Sequence, residues 1–257
     1  MRDRVRDWHI AVGNFFFRYR NALFPVLFVL TALVGRPRIM FDDPGLDRLL
    51  GLCGIVVALA GQAMRLITIG YEYIERGGKA GKVYASRLVA GGVYTLTRNP
   101  MYVGNGLIAL GITMLAGSPF MYLIVLPFFL FIYQALVAAE EAYLRKQFGG
   151  EYDRYCARVP RWWPRLDRIG PSLSGLRYDW RRAVRKELST LAGLCSGVLL
   201  LPVVRTYFLY GVEAAKAQGP RTLALELGVL GTYGLLVYLK KRQRVFYRST
   251  EVPGVTK

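Results

Sequence analysis

Four polar residues with the chemistry of a binding or catalytic site flank one apolar hairpin in this sequence. Arg98 and Tyr102 stand at the start of its first arm, Glu140 and Glu141 stand at the end of its second arm, and Gly117-Ser118-Pro119 connects the two. A connection this short makes the arms antiparallel, and at ~1.5 Å of rise per residue each arm crosses tens of ångströms. These four side chains and that of Asn99 are therefore expected to meet at one depth. An arginine, two adjacent carboxylates and a tyrosine in that position can bind a charged ligand.

The same residues also have a purely structural interpretation. Arginine is common at the cytoplasmic edge of a membrane span, and two glutamates at a helix end are often solvated, or pair here with Arg145 at helical spacing. Tyr152, Tyr155, Trp162 and Trp163 fit an aromatic belt at the membrane surface equally well. From the residues alone, a site and a topological role stay equally open.

Composition indicates a membrane protein. Apolar residues make up 53% of the 257 residues, the mean hydropathy is +0.27 and the formal net charge is +18. Soluble domains seldom combine such apolarity with such basicity, and a disordered chain would lack the apolar runs. No basic stretch is interleaved with aromatic residues as in a nucleic-acid-binding module, so nucleic acid is not an expected partner. The positive charge is expected to face the headgroups of membrane lipids.

The apolar runs predict an all-α, polytopic membrane protein with about six transmembrane helices. These are expected at residues 21–35, 49–71, 101–117, 119–139, 188–210 and 222–239. The stretches 1–20, 71–100, 140–187 and 240–257 hold 28 Lys and Arg residues, whereas the three alternate loops hold 5. The positive-inside rule then places both termini in the cytoplasm, and we expect a multi-pass protein of a bacterial inner membrane.

Four segments follow from these spans and charges. They are an interfacial N-terminal segment (1–20), a membrane core (21–166), a basic cytoplasmic connector (167–187) and a C-terminal two-helix membrane extension with a basic tail (188–257). Arg65, near the end of the second span, is expected to snorkel or to pair inside the bundle, and substrate contact is the alternative. Gly193 and Gly197 have the spacing of a close-packing face, although glycine is frequent in membrane helices in general.

Several chemistries lack the residues that they require. The sequence contains one histidine, His9, which excludes a Ser-His-Asp triad or a His-rich metal site. Cys53, Cys156 and Cys195 are far apart, so neither a zinc site nor a disulfide framework is expected, and no metal ligands are assigned. The run Gly104-Asn105-Gly106-Leu107-Ile108-Ala109 matches a dinucleotide fingerprint but lacks the preceding strand that gives that pattern its meaning.

An ordered series of motifs resembles a known family. Arg98-Asn99-Pro100-Met101-Tyr102-Val103-Gly104 is followed by Glu140-Glu141-Ala142-Tyr143-Leu144, by Phe148-Gly149-Gly150-Glu151-Tyr152-Asp153-Arg154-Tyr155 and by Val159-Pro160. In this order the motifs are similar to those of the isoprenylcysteine carboxyl methyltransferases, part of a wider set of integral-membrane methyltransferases. The resemblance covers residues 83–164, about a third of the chain. The family has a histidine where this sequence has Asn99, which cannot titrate near neutral pH.

The resemblance implies a helical hairpin core with a cytoplasmic cofactor pocket, and transfer of a methyl group from S-adenosylmethionine to a lipophilic acceptor. That acceptor is an isoprenylcysteine-like carboxylate, a lipid amine or a thiol. The implied catalytic residues are Arg98, Glu140 and Glu141, of which Arg98 positions an anionic group and a glutamate orients the donor. The implied cofactor-binding residues are Tyr94, Asn99, Pro100, Tyr102, Gly104, Glu140, Tyr152, Tyr155, Pro160 and Trp162. Neither the oligomeric state nor the role of the extension follows from the resemblance.

Two other functions fit parts of the same pattern. Membrane sterol-type reductases have a related C-terminal arrangement and bind NADPH, although the spans after Pro164 fit them less well. A non-catalytic membrane scaffold is the third interpretation, favoured by the missing histidine at Asn99. Cofactor binding distinguishes the three: S-adenosylmethionine, NADPH, or neither.

Overall fold

The computed structural model describes residues 8–19, 31, 34–72, 85 and 87–242. Every regular element in this part of the chain is helical, which confirms the expected all-α fold. The predicted first span, at residues 21–35, lies mostly outside the described residues, as do the arginines before residue 8 and the basic tail after residue 242.

Eight helices are labelled in chain order. They are α1 (residues 8–19), α2 (Pro44–Tyr71), α3 (Pro100–Ala116), α4 (Leu126–Phe148, preceded by a π-helical stretch at Met121–Val125), α5 (Gly150–Arg158), α6 (Ile169–Leu173), α7 (Trp180–Tyr210) and α8 (Val212–Lys241). Short 3-10 turns lie at Met40–Asp42, Gly92–Thr95 and Leu166–Arg168. Within the described ranges, α2, Met121–Phe148, α7 and α8 are long and apolar enough to cross a membrane, and α3 is a shorter apolar helix. The chain is a multi-pass membrane protein.

The helix ends follow local chain chemistry. The Asp43 carboxylate accepts hydrogen bonds from the backbone N–H groups of Gly45 and Leu46, at 2.7 and 3.1 Å, and so caps α2. Gly117 ends α3 at a φ of 59°, in the left-handed region that favours glycine. Helices α7 and α8 begin eight and ten residues before the predicted spans, because an apolar run marks only the part of a helix that lies in lipid.

Glycines at heptad spacing bring α2 and α3 into close antiparallel contact. Gly54 faces Gly111, and Gly61 faces Gly104. A Cβ added at Gly61 would lie 2.5 Å from the Gly104 carbonyl oxygen and 2.8 Å from the Ile108 nitrogen, so backbone atoms occupy the space of a side chain. This contact with α2 fixes the position of α3 and therefore of the residues at its start.

Enlarging this contact is expected to destabilise the fold. Gly61→Ala should lower the free energy of unfolding by about 1 to 3 kcal/mol, because the added methyl group meets backbone that cannot move aside cheaply. The matched control is Gly193→Ala on α7, where an added Cβ meets no described atom within 4 Å. The control should be neutral or slightly stabilising. SDS-induced unfolding in mixed micelles measures both, and equal effects at the two sites would contradict the close contact.

Gly193 and Gly197 do not form a close-packing face within the described chain. An added Cβ at Gly197 would reach only Ile112 Cδ1, at 3.6 Å. The tight helix contact thus lies at other glycines than the sequence pattern indicated.

A buried ion pair fastens the C-terminal extension to the core. Arg65 on α2 and Glu187 on α7 are 4% and 0% exposed. Arg65 Nε lies 2.6 Å from Glu187 Oε2, and Arg65 Nη2 lies 2.8 Å from Glu187 Oε1. Arg65 also donates to Asn105 on α3, and Gln62 donates to Glu187 at 3.2 Å. The expected pairing of Arg65 inside the bundle is confirmed, and its partner belongs to the extension. A second pair, Asp47 with Arg205, joins α2 and α7 near their other ends.

The hairpin of α3 and α4 completes the core. Tyr102 on α3 packs edge-on against Tyr133 on α4, with ring centroids 5.1 Å apart. Helix α1 lies on α4, where Phe16 and Phe17 are buried against Ile132, Tyr133 and Leu136. This N-terminal helix is thus partly a core element, while Trp8 and Phe15 remain about half exposed.

Candidate functional site

The segment after α5 crosses over the start of α3. We call residues 159–169 the strap. The backbone N–H of Arg98 donates to the Pro160 carbonyl at 2.9 Å, and that of Arg165 donates to the Leu96 carbonyl at 3.0 Å. The Thr97 hydroxyl donates to the carbonyls of Arg161 and Trp162, at 3.1 and 3.2 Å. These bonds hold the strap across the mouth of the α3–α4 hairpin.

Glu141 is the centre of the site. It is 8% exposed and meets two arginines from different parts of the chain. Arg161 of the strap binds both of its carboxylate oxygens, at 3.0 and 2.6 Å, and Arg98 Nη1 lies 3.2 Å from Oε1. A carboxylate between two guanidinium groups fixes the orientation of both of them. Arg145, the alternative partner in the sequence, instead binds Asp153 at 2.8 Å.

The Glu140 side chain leaves α4 on a different side from that of Glu141. Its carboxylate accepts a 2.6 Å hydrogen bond from the Tyr102 hydroxyl, and its side chain is half-buried. Neighbouring residues on a helix diverge by about 100°, since one turn takes 3.6 residues. The two glutamates therefore act as separate groups, Glu141 in an ion pair and Glu140 in a hydrogen bond to α3.

Arg98 has unused hydrogen-bonding capacity. Besides Glu141, its Nη1 contacts Cys156 Sγ at 2.9 Å. Its Nε is buried and has no hydrogen-bond partner among the described residues. A buried guanidinium donor without an acceptor is costly, which makes this atom a suitable contact for a bound anionic or carbonyl group.

Asn99 supports the strap. Its Nδ2 donates to the Arg161 carbonyl at 3.0 Å, and the residue is 8% exposed. It stands at the N-cap of α3 without capping the helix through its side chain. In this structure the asparagine therefore links α3 to the segment that carries Arg161.

Tyr152 and Tyr155 lie in a small hydrophobic core beneath the strap. They are 1% and 7% exposed and pack with Val159, Leu144 and Phe148. The Tyr155 hydroxyl donates to the Tyr94 carbonyl at 2.8 Å. Burial raises the pKa of both phenols above the usual value of a tyrosine, so both stay protonated near neutral pH. Their rings hold α5 in place.

An alkaline loss of stability is expected from these two phenols. A phenol whose pKa is raised in the folded state keeps its proton there, while the unfolded chain releases it above pH ~10, so stability falls as pH rises past that point. The double variant Tyr152→Phe/Tyr155→Phe should flatten this fall in SDS-induced unfolding measured between pH 8 and 12. Tyr210→Phe, at an exposed position, is the control. An unchanged slope in the double variant would contradict the assignment.

The remaining residues implied by the resemblance lie near the start of α3 or face its neighbours. Pro100 is fully buried at the first position of α3, as proline is at many helix starts. Gly104 faces α2, where an added Cβ would lie 2.7 Å from Arg65 Cγ. Trp162 is half-buried, and Trp163 is 86% exposed. The geometry brings Arg98, Glu141, Asn99, Pro160 and Trp162 together, whereas Gly104 serves helix packing.

Part of the chain is similar to known proteins. Residues 50–151 match the family described as phospholipid methyltransferase. The cobalt-zinc-cadmium resistance protein CzcN of Cupriavidus metallidurans is 30% identical over 162 residues, which are 61% of this chain and 68% of that protein. The chain belongs to the phospholipid methyltransferase family. The matched region includes Arg98, Glu140 and Glu141 and ends just before Tyr152.

Two other relatives match shorter regions. A protein-S-isoprenylcysteine O-methyltransferase of Schizosaccharomyces pombe is 40% identical over 76 residues, which are 28% of this chain and 31% of that enzyme. An uncharacterized protein of Haemophilus influenzae is 44% identical over 62 residues, which are 24% of this chain and 98% of that protein. The resemblance to integral-membrane methyltransferases is thereby confirmed. No solved structure matches the chain.

Arg161, Thr97 and Cys156 contact the candidate site residues and were not predicted from the sequence. Arg161 stands directly after Val159-Pro160, where a single arginine among so many basic residues is not distinctive. Its role depends on the strap folding back over Glu141, 20 residues earlier.

In the part of the chain that the structure describes, no three His, Cys, Asp or Glu residues are grouped as metal ligands would be.

Proposed function

We propose that this member of the phospholipid methyltransferase family moves a methyl group from S-adenosylmethionine to a lipophilic acceptor at the membrane surface. One observation carries the proposal: Glu141 joins Arg98 at the start of α3 to Arg161 of the strap. A single carboxylate thus connects the membrane hairpin with the segment that closes over it.

The groups at the site fit the donor molecule. When bound, S-adenosylmethionine supplies a methyl group activated by its sulfonium charge. The Arg98 Nε, which has no hydrogen-bond partner among the described residues, suits an amino-acid carboxylate, and the Glu140 carboxylate suits a positive charge. Trp162, half-buried in the strap, offers a ring face to adenine. Tyr94, Tyr152 and Tyr155 hold the wall behind these groups through the bond of Tyr155 to the Tyr94 carbonyl.

Orientation is the main task of these residues. Methyl transfer is an in-line displacement, so its rate depends on alignment of acceptor and donor and on exclusion of water. The bonds of Thr97 and Asn99 to the Arg161 carbonyl keep the strap closed over the start of α3. Closure places the ion pairs of Glu141 in a surrounding that is poor in water, where they hold their geometry best.

The acceptor is proposed to need little acid-base help. The family histidine is replaced by Asn99, whose amide hydrogen-bonds a backbone carbonyl and cannot accept a proton near neutral pH. A carboxylate such as that of a prenylated cysteine is already ionised, so it requires no base. A lipid amine would have to lose a proton, and the proposed base for this step is the half-buried Glu140 carboxylate, which accepts a hydrogen bond from Tyr102.

The proposal includes the orientation of the chain in the membrane and the roles of its segments. The site faces the cytoplasm, both termini are cytoplasmic and the chain lies in a bacterial inner membrane, as the charge distribution between loops indicates. Residues 21–166 form the catalytic core, 167–187 a basic connector and 188–257 an extension that the pair of Arg65 with Glu187 joins to the core.

Transfer of a radioactive methyl group tests this function. Purified protein in nanodiscs receives S-adenosylmethionine labelled in its methyl group together with a prenylated cysteine analogue, phosphatidylethanolamine or a long-chain thiol, each in a separate reaction. We expect label in the prenylated cysteine as a base-labile ester. Label in the amine or thiol would correct the acceptor, and label in none of the three would contradict the proposed lipophilic acceptors.

A further inference from the structure

The strap presents an apolar face that its fold leaves uncovered. Trp163, Leu166 and Ile169, spaced three residues apart, are 86%, 70% and 42% exposed. Leu166 opens a 3-10 turn that ends at Arg168, and Ile169 continues it in helical conformation, so these two side chains project in similar directions, while Trp163 lies in the irregular part of the strap just before it. Three large, exposed apolar groups within so short a segment are unusual on a surface that faces water alone.

The position of the strap places this face at the membrane surface. Helix α3 has 17 residues and a length of ~25 Å at 1.5 Å per residue, which is less than the ~30 Å thickness of a bilayer core. A helix of this length has little excess to extend beyond the hydrocarbon core, which favours a position of its first residue, Pro100, near the edge of that core. The strap is hydrogen-bonded to Leu96, Thr97 and Asn99, immediately before that point. These contacts favour a position of the strap at the depth of the lipid headgroups.

The charge of the surrounding chain favours anionic lipids. Residues 158–186 contain nine Lys and Arg residues and two acidic residues. Arg165 and Arg168 stand on either side of the pair Leu166-Asp167 within the strap. Arg165 binds the exposed Asp167, and Arg168 makes no ion pair with any described residue. Basic residues interleaved with exposed apolar ones are characteristic of segments that lie in the interface of an anionic membrane.

We propose that the strap is a membrane-surface anchor. Trp163, Leu166 and Ile169 insert into the headgroup region of the leaflet beside the candidate site, and Arg165 and Arg168 contact lipid phosphates. The segment that closes over Glu141 is thereby held by the bilayer as well as by its hydrogen bonds to the start of α3. This anchoring does not depend on the methyltransferase reaction.

Spin labels measure the depth of the strap directly. Single cysteines replace Trp163, Leu166 or Ile169 in a full chain whose Cys53, Cys156 and Cys195 are changed to serine, and the protein is placed in liposomes with a quarter phosphatidylglycerol. The matched control is a label at Asp167, a charged position between them whose side chain is 63% exposed. Collision with oxygen reports lipid, and collision with a water-soluble nickel complex reports water. Unchanged thermal unfolding of the labelled proteins confirms their fold.

The expected result is that labels at 163 and 166 collide with oxygen more than with nickel, while the label at 167 does the reverse. Arg165→Gln/Arg168→Gln should move the label at 166 toward water, and so should liposomes of phosphatidylcholine alone. Access of nickel to 163 and 166 equal to that at 167 would overturn the anchor. Labels shielded from both reagents would also overturn it, since the face would then lie against protein. Equal depth in the two lipid mixtures would overturn the role of anionic lipid.

Discussion

Replacing Glu141 by glutamine is expected to lower methyl transfer by about a hundredfold, or ~2.7 kcal/mol in activation free energy. The substitution keeps the shape of the side chain but removes the charge that fixes Arg98 and Arg161. Both arginines are partly buried and would face each other without a counter-ion, so the strap should open. Initial rates in nanodiscs, with labelled S-adenosylmethionine and the best acceptor, measure the effect.

The adjacent glutamate provides a matched control. Glu140→Gln leaves the ion pairs of Glu141 intact and keeps an acceptor for the Tyr102 hydroxyl, so it should reduce the rate far less with a carboxylate acceptor. Arg161→Lys should fall between the two, because an ammonium cannot bind both oxygens of Glu141 as the guanidinium does. Equal rates for Glu141→Gln and the unchanged protein would remove Glu141 from the site.

Loss of Glu187 is expected to have the largest effect on stability. Glu187→Gln leaves the Arg65 guanidinium buried without a counter-ion, at a cost of about 3 to 5 kcal/mol. The double variant Arg65→Met/Glu187→Met removes both charges and should recover most of that loss, because apolar side chains of similar volume suit a helix interface in lipid. The free energy of unfolding in SDS-containing micelles measures all three proteins.

Recovery in the double variant is the informative outcome, since the single variant is at risk of failing to fold. If the double variant is as unstable as Glu187→Gln, the unpaired charge of Arg65 is not the reason for the lower free energy of unfolding. Arg205→Gln provides a comparison at the second contact of α7, where Arg205 binds Asp47 and the Arg38 carbonyl. It should cost less, because both partners are 12% exposed rather than fully buried.

The sequence predicted the helices of this protein better than their ends. A run of apolar residues long enough for a bilayer is a strong signal, and four of the predicted spans correspond to helices long and apolar enough to cross a membrane. Helices α7 and α8 extend beyond the apolar runs because a helix continues into polar residues where water solvates its side chains. Hydropathy does not reveal such an extension. The sequence pattern therefore places Glu187 in the basic connector, whereas in the structure it lies in the interior of α7.

The candidate site was predicted in part. The antiparallel hairpin brings Arg98 to Glu141 and Tyr102 to Glu140, since a short connection leaves little freedom in how the arms pair. Arg161 was missed because its contact depends on the path of an irregular segment, which no periodicity encodes. The roles of the aromatic residues were no easier to read. Tyr152 and Tyr155 are of a residue type that often stacks on a bound ligand. In the structure both are buried and pack in a hydrophobic core instead.

Calorimetric binding of S-adenosylhomocysteine, with NADPH as the competing ligand, tests the central claim most directly. Detergent-purified protein is titrated with each ligand, and Glu141→Gln is titrated beside it. The expected result is micromolar binding of S-adenosylhomocysteine that Glu141→Gln weakens at least tenfold, with no heat from NADPH. Binding of NADPH alone would assign the site to a reductase. Binding of neither by a folded protein would contradict the proposed transfer and leave a non-catalytic membrane scaffold.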